Sequence, residues 1–162
     1  MDQKENTPKI AFIKARWHAG IVDQCEAGFR ARGMDFGWSA GAVDTFEMPG
    51  AYDIPLLARK LAQSGKYDAI VASAFVVDGG IYHHEFVSAA VVDGLMAVQL
   101  ETGTPVLSAV LTPHNFQETP AHIAFFTEHF VIKGQEAAEA CAAIIAAHRR
   151  VDAEQGRRIA AE

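Results

Sequence analysis

The chain alternates between short apolar runs and segments whose apolar residues recur at helical spacing. The apolar runs cover residues 10–15, 42–48, 67–77 and 105–111. Short apolar runs bounded by glycine or proline are typical of strands buried on both faces of a parallel sheet. Parallel strands need crossover connections, and the segments between the runs have the spacing of helices that could supply them. The pattern therefore predicts a single α/β domain over residues 1–162.

The expected architecture is a three-layer sandwich in which helices cover both faces of a parallel sheet of about four strands, as in flavodoxin-like folds. The expected helices are one that Gly33 ends, one from Pro55 to Gly65, one from about His83 to about Glu101, and an Ala-rich helix after Gly134. Residues 112–132 are expected to form a loop and a short helix. Residues 1–8 and about 150–162 are expected to be flexible, and the charged tail from Arg149 to fray.

Composition and charge narrow the possible functions. The 162 residues are 50% hydrophobic and carry a formal net charge of −6, with no basic stripe to neutralise nucleic-acid phosphates. No apolar run reaches the roughly 20 residues of a membrane span, and the polar start does not resemble a signal peptide. Cys25 and Cys141 lie on apolar helix stripes, so we expect buried, reduced thiols in a cytoplasmic protein. The charge and the lengths of the apolar runs lead us to expect no nucleic-acid or membrane partner.

Three strand ends carry the residues with the most useful chemistry. They are Arg16-Trp17-His18, the segment 49–53 and the segment 78–83, which ends at His83. Because the carboxyl ends of parallel strands lie at one edge of the sheet, these three corners should converge. Open α/β folds bind their ligands at that edge, so we expect the functional site there.

Each candidate residue also has a structural interpretation. Trp17 could stack on a planar heterocycle, or it could simply cover the sheet edge. Asp53 could accept hydrogen bonds from a hydroxylated ligand, or cap a helix. The Gly79-Gly80 turn could offer N–H groups to a phosphate, or could be only a turn. His83 could transfer a proton near neutral pH, or could be a solvated surface residue.

The histidines do not indicate a metal site. Three of the seven lie in one stretch, at His114, His122 and His129, but without a tight motif such as HExxH or CxxC. We therefore expect no metal. The phenylalanines of the same region are expected to form local core: Phe116, Phe125, Phe126 and Phe130.

Together the three corners resemble the lumazine synthases. The resemblance consists of Trp17 after the first strand, PGAYDIP at 49–55, GGIYH at 79–83 and Lys-Gly at 133–134. It covers nearly the whole chain in the family's order. The segments RWH, FVxDGGIY and LTPH resemble the branch of the family called type II. This resemblance implies a homo-oligomer built from pentamers, which in this branch is a decamer. It also implies that the active site lies at a subunit interface.

The resemblance implies that 5-amino-6-(D-ribitylamino)uracil is joined to 3,4-dihydroxy-2-butanone 4-phosphate. The products would be 6,7-dimethyl-8-ribityllumazine, inorganic phosphate and water, in the penultimate step of riboflavin synthesis, with riboflavin synthase as a possible pathway neighbour. The implied reaction requires no organic cofactor, so none is expected. The resemblance places Trp17 on the pyrimidinedione and Ala51, Tyr52 and Asp53 along the ribityl chain. It places the backbone of Phe75, Val76 and Val77 at the ring. It places Gly80 and Ile81 at the phosphate.

Three further positions follow from the resemblance. His83 falls at the family's proton-transfer position. Ser108 falls where many members carry a Phe that contacts the ring from the neighbouring subunit, and His122 falls where they carry a phosphate-binding Arg.

Two departures from the family pattern affect the phosphate site. Asp78 stands where many members have Arg. A titratable His122 in place of Arg implies phosphate affinity that falls as pH rises. We therefore expect modest activity with weak affinity for the phosphorylated substrate. The alternatives are a non-catalytic flavin- or lumazine-binding module on the same fold, and a shell-like assembly with a vestigial pocket.

Overall fold

The computed structural model describes residues 7–160. Its strands are β1 (Ile10–Ala15), β2 (Val43–Met48), β3 (Ala69–Phe75) and β4 (Val106–Leu111). Its helices are α1 (Ala19–Asp35), α2 (Ile54–Gln63), α3 (Glu85–Thr102) and α4 (Pro120–Ala160), with short 3-10 turns at Ala40–Ala42 and Ala51–Asp53. Strands and helices thus alternate along the chain.

The sheet is parallel throughout and has the order β2-β1-β3-β4. The central strands β1 and β3 are buried at every residue because helices cover both of their faces. The edge strand β2 instead has exposed residues alternating with less exposed ones. This arrangement confirms the predicted α/β, flavodoxin-like class.

Two hydrophobic cores separate the three layers. Alternate residues of each strand point to opposite faces, so Phe12 packs with α1 and α4, whereas Ile13 packs with α2 and α3. Phe12, Phe29 and Phe130 are the largest side chains that are fully buried in the first core. The second core is filled mainly by aliphatic residues.

Helices α1 and α4 cross at two glycines. A Cβ atom on Gly134 would lie 2.0 Å from the carbonyl oxygen of Cys25, and one on Gly28 would lie 2.1 Å from that of Val131. The two backbones approach so closely that only glycine fits at either position. Gly134 therefore serves helix packing and lies inside α4.

Two sequence-based predictions about this region are wrong. The helix does not begin after Gly134, and residues 120–132 are not a loop with a short helix, because α4 runs without interruption from Pro120. The glycine that indicated a break is instead a contact point. Residues 149–160 belong to the same helix, and the predicted fraying of this tail stays a prediction.

Other predictions hold more closely. The phenylalanine cluster forms as expected around Phe75, where Phe116, Phe126 and Phe130 pack edge-on or tilted, but Phe125 is exposed. Cys25 and Cys141 are buried, free thiols. Within the described part of the chain, no helix combines the length and apolarity that crossing a membrane would require.

Candidate active site

Backbone hydrogen bonds tie the strand ends together at the carboxyl edge of the sheet. The N–H of Arg16 donates to the carbonyl of Met48 at 3.0 Å, and the N–H of Val76 donates to the carbonyl of Leu111 at 3.0 Å. The pairing of β1 with both β2 and β3 brings the three corners to one edge, as the parallel topology predicts.

The first corner exposes Trp17. Its side chain is 73% exposed, and its Nε1 atom would lie 3.9 Å from a Cβ atom on Gly50, so the indole stands beside the second corner. Of the two interpretations of Trp17, this position favours an exposed stacking surface, since an indole covering the sheet edge would be buried.

The residues on either side of Trp17 are firmly held. Arg16 donates two hydrogen bonds to the carboxylate of Asp23, at 2.6 and 3.2 Å. His18 adopts the left-handed conformation with φ 53°, and among the described residues it is the one non-glycine with positive φ. Its ring packs edge-on against Phe75 and Phe116, with centroids 5.7 and 5.2 Å away. Backbone strain at such a corner is typical of functional sites.

A partly buried ionic cluster lies behind this corner. The ammonium of Lys14 is 2.7 Å from Glu26 and 2.9 Å from Asp23, and the Lys14 side chain is almost fully buried. The hydrogen bond from Arg16 lowers the pKa of Asp23 to about 2. The cluster joins β1 to α1 and so fixes the point where the chain leaves the sheet. The apolar pattern of β1 gave no indication of it.

The second corner is a short 3-10 turn that presents Tyr52 to solvent. The N–H of Gly50 donates to Oδ2 of Asp53 at 2.9 Å, so Asp53 does cap this turn. The bond occupies one carboxylate oxygen and leaves the other available to a hydroxylated ligand. Both interpretations of Asp53 are therefore compatible with its position.

The third corner begins at a buried strand end and becomes fully exposed. Phe75 and Val76 are buried, Val77 is half-buried, and Gly80 and Ile81 are exposed. Gly80 has φ +77°, a conformation that other residues adopt only with strain. Helix α3 begins at Glu85, so His83 precedes the helix and is not in its first turn as predicted.

Four ionisable groups follow one another around this third corner. Nδ1 of His83 lies 2.9 Å from Oε1 of Glu85, and Nδ1 of His84 lies 2.8 Å from Oδ1 of Asp78 and 3.6 Å from Oε2 of Glu85. The neighbouring His84 imidazole lowers the pKa of Asp78. We call Asp78, His83, His84 and Glu85 the loop cluster.

The loop cluster contains the one set of donors, among the described residues, that is grouped closely enough to hold a metal ion. These donors are Asp78, His84 and Glu85, whose ligand atoms lie within 4.8 Å of one another. The sequence interpretation did not identify Glu85. Its position two residues after His83, at the start of the helical pattern, was the available signal.

Ser108 and His122 lie outside the three corners. Ser108 is exposed on the edge strand β4, where it borders an open groove between β4 and α4 whose lining includes Leu107, Ala137 and Ile144. His122 lies in the first turn of α4, and its Nδ1 accepts a hydrogen bond from the N–H of Gln117 at 3.0 Å.

An exposed aromatic, a glycine turn and a histidine–carboxylate pair thus share the carboxyl edge of a parallel sheet. This combination defines an α/β protein with a candidate site for a small, polar, partly planar ligand at that edge. Comparison with known proteins makes the assignment specific. The family model described as 6,7-dimethyl-8-ribityllumazine synthase matches residues 7–149. The chain belongs to this family.

Similar proteins carry the same name. The chain is 55% identical over 137 residues to the 6,7-dimethyl-8-ribityllumazine synthase of Rhodococcus erythropolis, covering 85% of this chain and 88% of that protein. It is 51% identical over 150 residues to 6,7-dimethyl-8-ribityllumazine synthase 2 of Pseudomonas syringae pv. tomato, covering 91% and 88%. The corresponding protein of Bradyrhizobium diazoefficiens is 46% identical over 138 residues, covering 83% and 80%.

Proposed function

We propose that the chain is a catalytically active lumazine synthase whose reaction takes place at the three corners. It joins 5-amino-6-(D-ribitylamino)uracil to 3,4-dihydroxy-2-butanone 4-phosphate and forms 6,7-dimethyl-8-ribityllumazine in riboflavin biosynthesis. The observation that carries this conclusion is the family match over residues 7–149, together with the identity to named synthases over most of the chain. The convergence of the three corners supports it independently.

Each corner would bind a different part of the substrates. Trp17 would stack on the pyrimidinedione, and its exposed position beside Gly50 supports this. Ala51, Tyr52 and Asp53 would follow the ribityl chain, with the free Asp53 oxygen accepting from a hydroxyl. The ring would lie against the backbone that leaves β3, namely that of Phe75, Val76 and Val77.

The phosphate would be held by the exposed turn at Gly80 and Ile81, with His122 as a second contact. Because Nδ1 of His122 accepts from the N–H of Gln117, the ring in this arrangement carries its proton on Nε2 and would offer that N–H to the phosphate. The role of His122 as a cation at the phosphate stays a prediction.

His83 would transfer the protons that the reaction requires. Imine formation, phosphate elimination and ring closure each move a proton, and one well-placed histidine contributes about 10²–10⁴-fold. Holding two substrates in register would supply much of the remaining acceleration. These steps require neither a metal nor an organic cofactor.

We further infer a cytoplasmic, pentamer-based homo-oligomer, in its full form a decamer. Helix α3 carries exposed apolar side chains along one side, among them Phe86, Val92, Met96 and Leu100, which a second copy of the chain would cover. The exposed groove at Ser108 lies on the sheet edge, where a neighbouring subunit could complete the site.

The mass in solution tests this assembly. With 17.5 kDa per chain, a decamer has about 175 kDa. Light scattering should give a mass of about 175 kDa for the wild type and for the exposed control Met34→Glu, and a lower mass for Met96→Glu. These results together would support this assembly.

Turnover separates a synthase from the binding module. The wild type should release one inorganic phosphate for each lumazine formed, and only when both substrates are present. A protein that quenches Trp fluorescence on binding lumazine but releases no phosphate would be a carrier or sensor, and the proposed function would fail.

A further inference from the structure

The pairing of His83 with Glu85 has a consequence for the direction in which His83 presents its proton. Glu85 is the first residue of α3, and its Oε1 atom lies 2.9 Å from Nδ1 of His83. An acidic side chain is favourable in the first turn of a helix, so the carboxylate has a reason of its own to remain there. The side chains are 74% and 57% exposed, so the pair contributes little to stability. Its importance would lie in orienting the imidazole.

We propose that Glu85 is a positioning residue that holds the N–H of His83 on Nδ1 and leaves the lone pair of Nε2 for the substrate. This inference rests on the proposed role of His83 in proton transfer. A neutral imidazole has one N–H and one lone pair, and the hydrogen bond made by one nitrogen decides the state of the other. Nδ1 of His83 and Oε1 of Glu85 are at hydrogen-bond distance, and a small rotation of this exposed ring would align the N–H with the carboxylate. With Nδ1–H donated in that way, His83 starts as a base at Nε2.

His83 gains and loses one proton in each reaction cycle. Nε2 of His83 takes a proton from the substrate and becomes an imidazolium, which the Glu85 carboxylate stabilises. The same proton then returns from Nε2 to a later intermediate or to the leaving group, and the neutral ring is restored. Glu85 remains a carboxylate throughout and exchanges no proton with the substrate.

The rest of the loop cluster keeps Glu85 available to His83. Asp78 faces His84 at 2.8 Å, whereas His84 is 3.6 Å from the second oxygen of Glu85. Asp78 is therefore the closer partner of His84, and Oε1 of Glu85 is left to His83. The Phe86 ring lies edge-on to that of His83, with the ring centroids 6.0 Å apart. A cation held by Asp78, His84 and Glu85 would instead draw Glu85 away from His83.

The test combines kinetics with a spectroscopic measurement of the tautomer. Glu85→Ala should lower kcat by about 10- to 100-fold, as loss of a group that orients a functional imidazole typically does, with KM for both substrates changed by less than about threefold. Glu85→Asp should restore part of kcat. The matched control is Glu101→Ala, which removes a similarly exposed carboxylate from the other end of α3.

The tautomer is measured by ¹⁵N NMR of histidine-labelled protein, with the His83 signals identified by their loss in His83→Gln. The wild type should show Nδ1–H at His83, and Glu85→Ala should lose that preference. Nε2–H in the wild type, or kcat within about twofold of wild type in Glu85→Ala, would overturn the proposal. A change of the His83 signals on adding EDTA would also overturn it, because it would show that a cation occupies Glu85.

The same measurements distinguish this inference from the proposed function. If His83→Ala leaves turnover intact, the role of His83 has failed, whereas the tautomer still reports whether Glu85 holds Nδ1. If Glu85→Ala unfolds, Glu85→Gln keeps the shape of the side chain and removes its charge. It should then lower kcat while the circular dichroism spectrum stays that of the wild type, and unchanged kcat would count against the proposal.

Discussion

The glycine crossing between α1 and α4 makes a strong prediction about stability. In Gly134→Ala the added Cβ would meet the Cys25 carbonyl oxygen at 2.0 Å and the Phe29 nitrogen at 2.8 Å. Backbone atoms cannot rotate away as a side chain could, so the helices must separate by about 1 Å or more to reach ordinary van der Waals contact. Overpacking of this kind costs about 1–3 kcal/mol or more, whereas alanine in place of glycine returns about 1 kcal/mol of helix propensity.

Because the clash is with backbone, we expect Gly134→Ala to lose about 1–2 kcal/mol of unfolding free energy, which corresponds to a fall in Tm of about 2–8 °C for a chain of this size. Thermal and urea unfolding followed by circular dichroism would measure it. Gly156→Ala is the matched control in the same helix, since a Cβ there meets nothing within 4 Å. It should leave stability unchanged or raise it by up to about 1 kcal/mol. Equal stability of Gly134→Ala and Gly156→Ala would refute the close crossing.

Three further predictions concern the site and its support. Trp17→Ala should weaken binding of the pyrimidinedione substrate about tenfold and remove most of the fluorescence quenching by lumazine, while Trp17→Phe should retain part of the affinity. Fluorescence titration measures both effects, and unchanged binding would exclude stacking. The hydrogen bond from Arg16 lowers the pKa of Asp23 from 3.8 to about 2, so its stabilisation should be complete above about pH 4 and disappear as pH falls towards 2. Because the Asp23 side chain is 39% exposed, Asp23→Asn should lower the free energy of unfolding by only about 1 kcal/mol at pH 7 and by less near pH 2. The exposed control Asp152→Asn should leave the free energy of unfolding unchanged at both pH values. A loss in Asp23→Asn that does not depend on pH would contradict this reasoning. Burial raises the pKa of Cys25 to about 11 and of Cys141 to about 12, so neither thiol should react with a thiol reagent at pH 8 until the protein unfolds, and rapid labelling of native protein would show that one of them is accessible.

The sheet could be predicted from the sequence because its central strands are buried on both faces. Burial on both sides requires continuous apolar runs, and β1 matches the predicted residues at both ends. The parallel order then follows from the helical segments between the runs. The helix boundaries were less predictable. Gly134 interrupts the apolar pattern, and nothing local indicates that its missing side chain admits another backbone.

The candidate site was predictable in part for the same reason. The corners around Trp17, Asp53 and Gly80 could be located because each follows a strand and topology collects strand ends at one edge. Contacts between side chains are not encoded in such patterns. The pairing of Glu85 with His83 depends on how the loop folds back before α3. The burial of Lys14 likewise depends on α1 bringing two carboxylates to it.

The most direct test of the synthase assignment and of the role of His83 is lumazine formation, followed by absorbance, for the wild type and His83→Ala. We expect wild-type turnover that requires both substrates and falls at least about 10²-fold in His83→Ala, with no change in the control His114→Ala. Wild-type protein that binds lumazine but forms none would contradict the assignment as a synthase. Equal turnover of wild type and His83→Ala would contradict the role of His83 and move proton transfer elsewhere, with His84 the first alternative.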